Sequence, residues 1–180
     1  MAALLAIHEA APERIGRLLE ELPDGTVRVH LPGRPVVVDR RMPVDTRGQW
    51  VYAHLAGARR PVPGWPGVVE KALAIAHAGS YRWLARGIGR SGLGILTGLR
   101  VRTVLRRPSP QQILQWRSEG RAVLTSTHPL SPRWASSAGP LPRMHVFAVV
   151  GADEPAGTVA LRNPWDPDRV VHVGRRAFRW

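Results

Sequence analysis

Cysteine is absent from all 180 positions of this sequence. Its absence excludes disulfide bonds and thiolate-bound metal ions within these residues, and it carries little information about the cellular compartment. The histidines show no metal-site spacing, since His8-Glu9 lacks the second histidine of an H-E-x-x-H motif. We therefore predict no metal and no other cofactor for this chain.

Long apolar runs and a secretory leader are also missing. No stretch reaches the length of about 20 apolar residues that a membrane-spanning helix needs. The opening MAALLAIHEA lacks a basic start and places His8 and Glu9 early, unlike a signal peptide. The location is left open between the cytoplasm and a place within a larger secreted effector.

Lysine is nearly absent, whereas arginine is abundant. Lys71 is the single lysine among 26 basic residues, and the net charge is +13. The excess is concentrated between Arg82 and Arg121, where nine arginines face one acid, Glu119. This charge would suit an anionic partner, nucleic acid included. No helix-turn-helix, zinc-finger or RNP motif accompanies it, so a solvated basic face is the favoured interpretation.

The hydrophobic pattern changes along the chain from helical to strand-like. Helices are predicted over 2–22 (divided at Pro12), 68–78 and 110–120. Strands are predicted at 26–31, 35–39, 121–127, 145–150, 158–162 and 169–173, with a Pro-rich loop at 128–143. The string GIGRSG (87–92) formally matches a dinucleotide motif but follows a predicted helix, so we interpret it as a flexible loop. Helices before an antiparallel sheet predict an α+β fold.

His145 and Asn163 stand at the outer ends of two predicted strands. If these strands form a hairpin with Gly151 opposite Gly157, then His145 lies opposite Asn163. Directly opposed side chains lie about 4.5–5.5 Å apart at Cβ. A slip of one residue would move the pair to opposite faces, so the prediction depends on the register.

Such a pair has a defined chemistry. An imidazole accepts the proton of a thiol and so generates the reactive thiolate, while a carboxamide oxygen holds the ring through its other N–H. The alternative interpretation is that His145 is an ordinary strand-end residue and that Asn163 caps a turn before Pro164.

Two patterns are more specific than this pair alone: W-x-x-x-x-E-K-A…G-S-Y, which begins at Trp65, and a His-led strand followed by R-N-P-W. They belong to the segments PVVVDRRMPVD (35–45), GWPGVVEKALAIAHAGSYRWLARG (64–87), LTG (96–98), HVFAVVGADE (145–154) and LRNPW (161–165). In this order the segments resemble the catalytic core of the calpain family of cysteine endopeptidases.

The resemblance implies a papain-like fold with a truncated helical lobe and an antiparallel β-rich lobe. Residues 1–63 would be the remainder of the cysteine-helix lobe with a β-hairpin. Residues 64–180 would be a helix plus the β-rich lobe, with one catalytic domain overall. The resemblance makes His145 the catalytic base, Asn163 its orienter and Trp165 a shield against water, and it makes a polypeptide the substrate.

The sequence departs from the family's pattern at three positions. The family usually has glycine where this chain has Met144 and Asp166, and it often has a second aspartate where this chain has Arg40. The segment 127–144 before His145 carries no acid, although calcium-dependent members often carry acids there. Because calcium takes about six to eight oxygen ligands, we expect a calcium-independent member.

The family's nucleophilic cysteine begins a helix, and MAALLAIHEAAPERI resembles the continuation of that helix. The expectation is that the chain starts just past this cysteine and the oxyanion-hole glutamine, and that the upstream coding DNA supplies Cys-Trp in frame. The chain as given would then be inactive. The alternatives are a pseudopeptidase that binds polypeptides and, less favoured, an arginine-rich nucleic-acid-binding domain.

Overall fold

The computed structural model describes residues 1–48, 51, 53, 64–81, 89–106, 108–127, 135–137 and 139–174. The chain forms two compact units: Met1 with Glu13–Arg100, and Ala2–Pro12 with Val101–Trp180. Parts of the predicted basic region (82–88 and 107), of the GIGRSG string (87–88) and of the predicted loop (128–134 and 138) lie outside the described residues. The predicted lobe boundary between residues 63 and 64 stays a prediction.

The described residues contain both helices and strands. The helices are α1 (Ala2–Ala10), α2 (Pro12–Leu18), α3 (Trp65–Leu73), α4 (Gly89–Thr97) and α5 (Pro110–Ser118). The strands are β1 (Leu19–Glu21), β2 (Val27–Val29), β3 (Val36–Val38), β4 (Val123–Ser126), β5 (Ala135–Ser136), β6 (Gly139–Pro140), β7 (Val146–Asp153), β8 (Thr158–Asn163) and β9 (Asp166–Gly174). Helices combined with antiparallel sheets confirm the predicted α+β class.

The first unit contains a three-stranded antiparallel sheet in the order β1-β2-β3. Strands β2 and β3 confirm the predicted hairpin. The helix predicted over 2–22 is divided at Pro12 as expected, but its extension beyond Leu18 was wrong. Leu19–Glu21 forms a strand instead, because pairing with Val27–Val29 overrides the helical propensity of this stretch.

Two helices of the first unit test the predictions differently. α3 continues as a π-helical turn over Ala74–Ala78, which confirms the helix predicted at 68–78 with an earlier start. The flexible loop predicted at the glycines was wrong for its described part, since α4 is a helix there. Burial of Leu93 and Leu96 on one helical face compensates for the low helix propensity of glycine.

The second unit is built on a four-stranded antiparallel sheet in the order β4-β7-β8-β9. Its strands confirm the predictions, with ends shifted by a few residues. A short β5–β6 hairpin, which the sequence did not predict, attaches to β9 where the Ser137 N–H donates to the His172 carbonyl at 3.0 Å. α5 confirms its predicted start, because Ser109 Oγ accepts the Gln112 N–H at 3.1 Å and Pro110 follows it.

The sheet of the second unit carries a continuous apolar core. Its buried members come from α5, the segment before His145 and three strands: Ile113, Leu141, Phe147, Val149, Val159, Leu161, Val171 and Val173. α1 also packs on β4 and β7 and buries Leu4, Ala6 and Ile7 almost completely. A helix that is apolar on nearly all sides is stable only when it is covered in this way. None of the helices in the described ranges has the length and apolar content that crossing a bilayer requires.

Leu161 offers a test of this core, because its side chain is fully buried at the centre of β8. We expect Leu161→Ala to lower the free energy of unfolding by about 2–5 kcal/mol, since it removes buried apolar contacts and leaves a cavity. Leu105→Ala is the matched control in the same unit, because Leu105 is 81% exposed, and its effect should stay within about 0.5 kcal/mol. Denaturant titration measures both variants. Equal effects would contradict the assigned core.

Candidate active site

The register of β7 and β8 decides whether His145 and Asn163 meet. Val149 pairs with Leu161 and Ala148 with Arg162, whereas nearer the turn Gly151 pairs with Ala160. The ladder therefore contains a bulge between Val149 and Gly151. Continuing the outer register places Phe147 opposite Asn163, so the predicted direct pairing of His145 with Asn163 was wrong by two residues. A shift of two residues keeps side chains on the same face of a sheet.

The two predicted side chains are in hydrogen-bonding contact. His145 Nε2 lies 2.8 Å from Asn163 Oδ1. The same Oδ1 accepts the backbone N–H of Trp165 at 3.0 Å, in the two-residue turn that joins β8 to β9. The side chains therefore lie side by side as the sequence predicted, although His145 immediately precedes β7 and is a diagonal neighbour of Asn163 at the end of β8.

The double contact at Asn163 determines the tautomer of the neutral imidazole. A backbone N–H is always a donor, so the atom that accepts it from Trp165 is the carboxamide oxygen and not the nitrogen. A carboxamide oxygen has no proton to donate, so Nε2 of His145 must carry the proton that they share. In the neutral ring the basic lone pair is then on Nδ1.

The backbone of His145 is held from its other side by Thr127, the residue after β4. The Thr127 N–H donates to the His145 carbonyl at 2.9 Å, and the His145 N–H donates to Thr127 Oγ1 at 2.9 Å. The hydroxyl of Thr127 in turn donates to the Pro142 carbonyl at 2.8 Å. Sequence reasoning missed Thr127, because a single threonine at a strand end gives no signal before the strand pairing is known.

Two aromatic rings enclose the imidazole. Phe147 meets it edge-on at a centroid distance of 4.8 Å, and Trp165 lies across it at 4.1 Å with a 51° tilt. His145 is buried as a result, although Trp165 itself is 77% exposed. Met144, immediately before His145, has a φ of 51°, a left-handed conformation that favours glycine. This conformation gives a physical reason for the glycine that the family usually has at this position.

Two opposing effects act on the pKa of His145. Burial lowers this pKa below its ordinary value of 6.5, and the hydrogen bond to Asn163 raises it by a smaller amount. The folded protein therefore favours the neutral ring. The stability that this preference contributes is present above pH 6.5 and is lost as the pH falls through the lowered pKa.

The surface beside Asn163 has a mixed polar and apolar lining. A cavity beside Asn163 is lined by residues of the 136–142 segment, by Phe147 and by Asp166 and Arg169 of β9. Among the described residues, no three histidine or acidic side chains lie close enough together to hold a metal ion.

Comparison with known proteins agrees with the resemblance seen in the sequence. Residues 29–174 match the model of the calpain family of cysteine proteases, and they include His145, Asn163 and Trp165. Because the match covers most of the chain, the chain belongs to the calpain family of cysteine proteases. No curated protein matches this sequence.

Two substitutions at Asn163 test the origin of the pKa of His145. Asn163→Leu keeps the branching at Cγ and removes the acceptor, so the pKa of His145 should fall below that of the wild type. Asn163→Asp places a negative charge beside Nε2, so the pKa should rise. NMR titration of the imidazole measures both. If both variants shift the pKa of His145 in the same direction, burial and not the contact with Asn163 determines the change in this pKa.

Proposed function

We propose that this chain has a papain-like fold and supplies the general base, but not the nucleophile, of a calpain-like cysteine endopeptidase site. In this proposal His145 is the catalytic base, Asn163 orients it and Trp165 shields the pair from water. The observation that supports the proposal best is the double contact at Asn163 Oδ1, which leaves the lone pair of His145 on Nδ1. A ring held in one tautomer by its far nitrogen is what a general base requires.

The proposed reaction is the hydrolysis of a peptide bond through a thioester. Nδ1 of His145 takes the proton of a thiol, and the thiolate attacks the carbonyl carbon. The imidazolium then gives that proton to the leaving amine, and a thioester remains. Water, deprotonated by the same Nδ1, attacks the thioester, and the thiol leaves as its sulfur regains a proton. Asn163 holds Nε2–H throughout, so the ring exchanges protons only at Nδ1.

The thiol itself is not among the 180 residues, which contain no cysteine. We propose that it comes from outside these residues, and that these 180 residues alone are inactive. Calcium has no role in the proposed steps, because the segment 127–144 before His145 carries no carboxylate.

The lack of cysteine also favours a second candidate function. Without a thiol, the same surface would bind polypeptides and not cleave them, as in a pseudopeptidase. The mixed lining of the cavity beside Asn163, with apolar Phe147 and charged Asp166 and Arg169, suits an extended polypeptide segment. A role for the Arg82–Arg121 region with an anionic partner is a weaker proposal. It is supported by the exposure of five of the six described arginines of this region: Arg90, Arg100, Arg102, Arg106 and Arg121.

The peptidase and the pseudopeptidase proposals predict different results when a cysteine is added to the protein. We expect the isolated chain to hydrolyse no peptide, whereas a version extended before Met1 by a segment that places a cysteine at the start of α1 gains activity. In the extended version, His145→Ala should lower kcat/KM by about 10³-fold or more, and Asn163→Ala by about 10–100-fold, because Asn163 acts only through the ring.

Thiol-blocking reagents and a cysteine-to-serine variant are the controls, and both should silence the extended version. Peptide binding without hydrolysis in the extended version would favour the pseudopeptidase. Hydrolysis by the 180 residues alone, resistant to thiol reagents and free of contaminating protease, would refute the cysteine mechanism.

A further inference from the structure

The last two residues of β8 contact different partners. Asn163 holds His145, while the neighbouring Arg162 forms an ion pair through Nη1 with Glu9 Oε1 on α1. Both members of the ion pair are largely buried, with side-chain exposures of 26% for Arg162 and 20% for Glu9. Consecutive strand residues project to opposite faces, so β8 is held from both faces at this end.

A second arginine supports the same glutamate. Arg117, in the last turn of α5, donates from Nη2 to the Glu9 backbone carbonyl at 2.8 Å. Glu9 lies in the last turn of α1, where carbonyls lack helical partners and a cation is favourable. Burial lowers the pKa of Arg117, while the charge of Glu9 opposes that shift. The cluster of Glu9, Arg117 and Arg162 therefore joins α1, α5 and β8.

Stability alone is a poor explanation for this cluster. Arg162 binds the Glu9 carboxylate and Arg117 binds the Glu9 backbone carbonyl, yet Arg117 Nη1 and Arg162 Nε are buried without a hydrogen-bond partner in the described part of the chain. Buried charges with unmet donors lose hydration that the ion pair only partly replaces, and apolar residues often stabilise such positions equally well or better. Such an arrangement instead fixes the positions of the groups that it joins.

The strand pairing indicates that Asn163 is the group whose position has to be fixed. Arg162 forms the outermost pair of the β7–β8 ladder, opposite Ala148. On the other side, the β8–β9 register shifts between Arg162 and Asn163. Asn163 thus lies just past the last regularly paired residue of its strand. Asn163 pairs across the turn with Asp166, and its Oδ1 accepts the Trp165 N–H.

We propose that Arg162, anchored by Glu9, is a positioning residue that fixes the Asn163 carboxamide against Nε2 of His145. The proposal rests on the role proposed above for His145. It assigns to the Glu9–Arg162 ion pair a function in maintaining the tautomer of the base, in addition to any contribution to folding.

Exchange of the His145 Nε2 proton with solvent, followed by NMR, tests this proposal on the 180-residue chain. In the wild type this proton should be hydrogen-bonded and exchange slowly. Arg162→Gln and Glu9→Gln remove the ion pair from either end, and each should accelerate exchange by about tenfold or more. Arg162→Lys keeps the charge with a shorter reach and should give an intermediate rate, which also provides a measurement if the glutamine variants do not fold.

Two controls separate positioning from a general loss of stability. Arg121→Gln removes the exposed ion pair of Arg121 with Glu119 in the same unit and should leave the exchange rate unchanged. Val159→Ala destabilises the core and, when compared at equal free energy of unfolding, should also leave it unchanged. Wild-type exchange in every folded Arg162 and Glu9 variant would overturn the proposal. A wild-type ring protonated on Nδ1 would instead contradict the function proposed for His145.

Discussion

A single β-bulge sets the geometry on which the candidate site depends. Near the turn, Gly151 pairs with Ala160, and continuing that register outward would put Asn163 opposite Ala148. His145 is three residues from Ala148, so it would then project to the face opposite Asn163. The extra residue between Val149 and Gly151 returns both side chains to the same face of the sheet, and His145 Nε2 lies 2.8 Å from Asn163 Oδ1. Bulges commonly re-aim side chains at functional sites in this way.

The sequence was sufficient to predict which residues meet but not how the strands pair. Period-two alternation located β7 and β8, the assumed hairpin register brought His145 and Asn163 together, and the resemblance implied their roles. The pairing assumed a regular hairpin and was wrong by two residues. The contact survived this error because a two-residue shift preserves the face of the sheet. A bulge has no signal in the alternation of one strand, since it is a property of the pair.

Other errors share a cause, which is that tertiary contacts decide between local alternatives. The glycines of the GIGRSG string (87–92) indicated a loop, yet its described part belongs to a helix that is stabilised by burial of Leu93 and Leu96. Leu19–Glu21 has the composition of a helix end but gains more by pairing with β2. Predictions that depended on local chemistry did better, as at Ser109-Pro110, where the cap is built from adjacent residues.

The His/Asn pair is organised by contacts that involve no thiol. The described contacts of His145 come from Thr127, which binds its backbone, and from Phe147, Asn163 and Trp165, which contact its imidazole. A base that is oriented in advance costs no reorganisation when a reacting group arrives, and that is the condition under which such a group accelerates chemistry. The same independence explains how this geometry persists in residues without cysteine. The fold stabilises the tautomer of His145 through Asn163. The orientation of the base therefore depends on the sheet and not on the presence of a nucleophilic thiol.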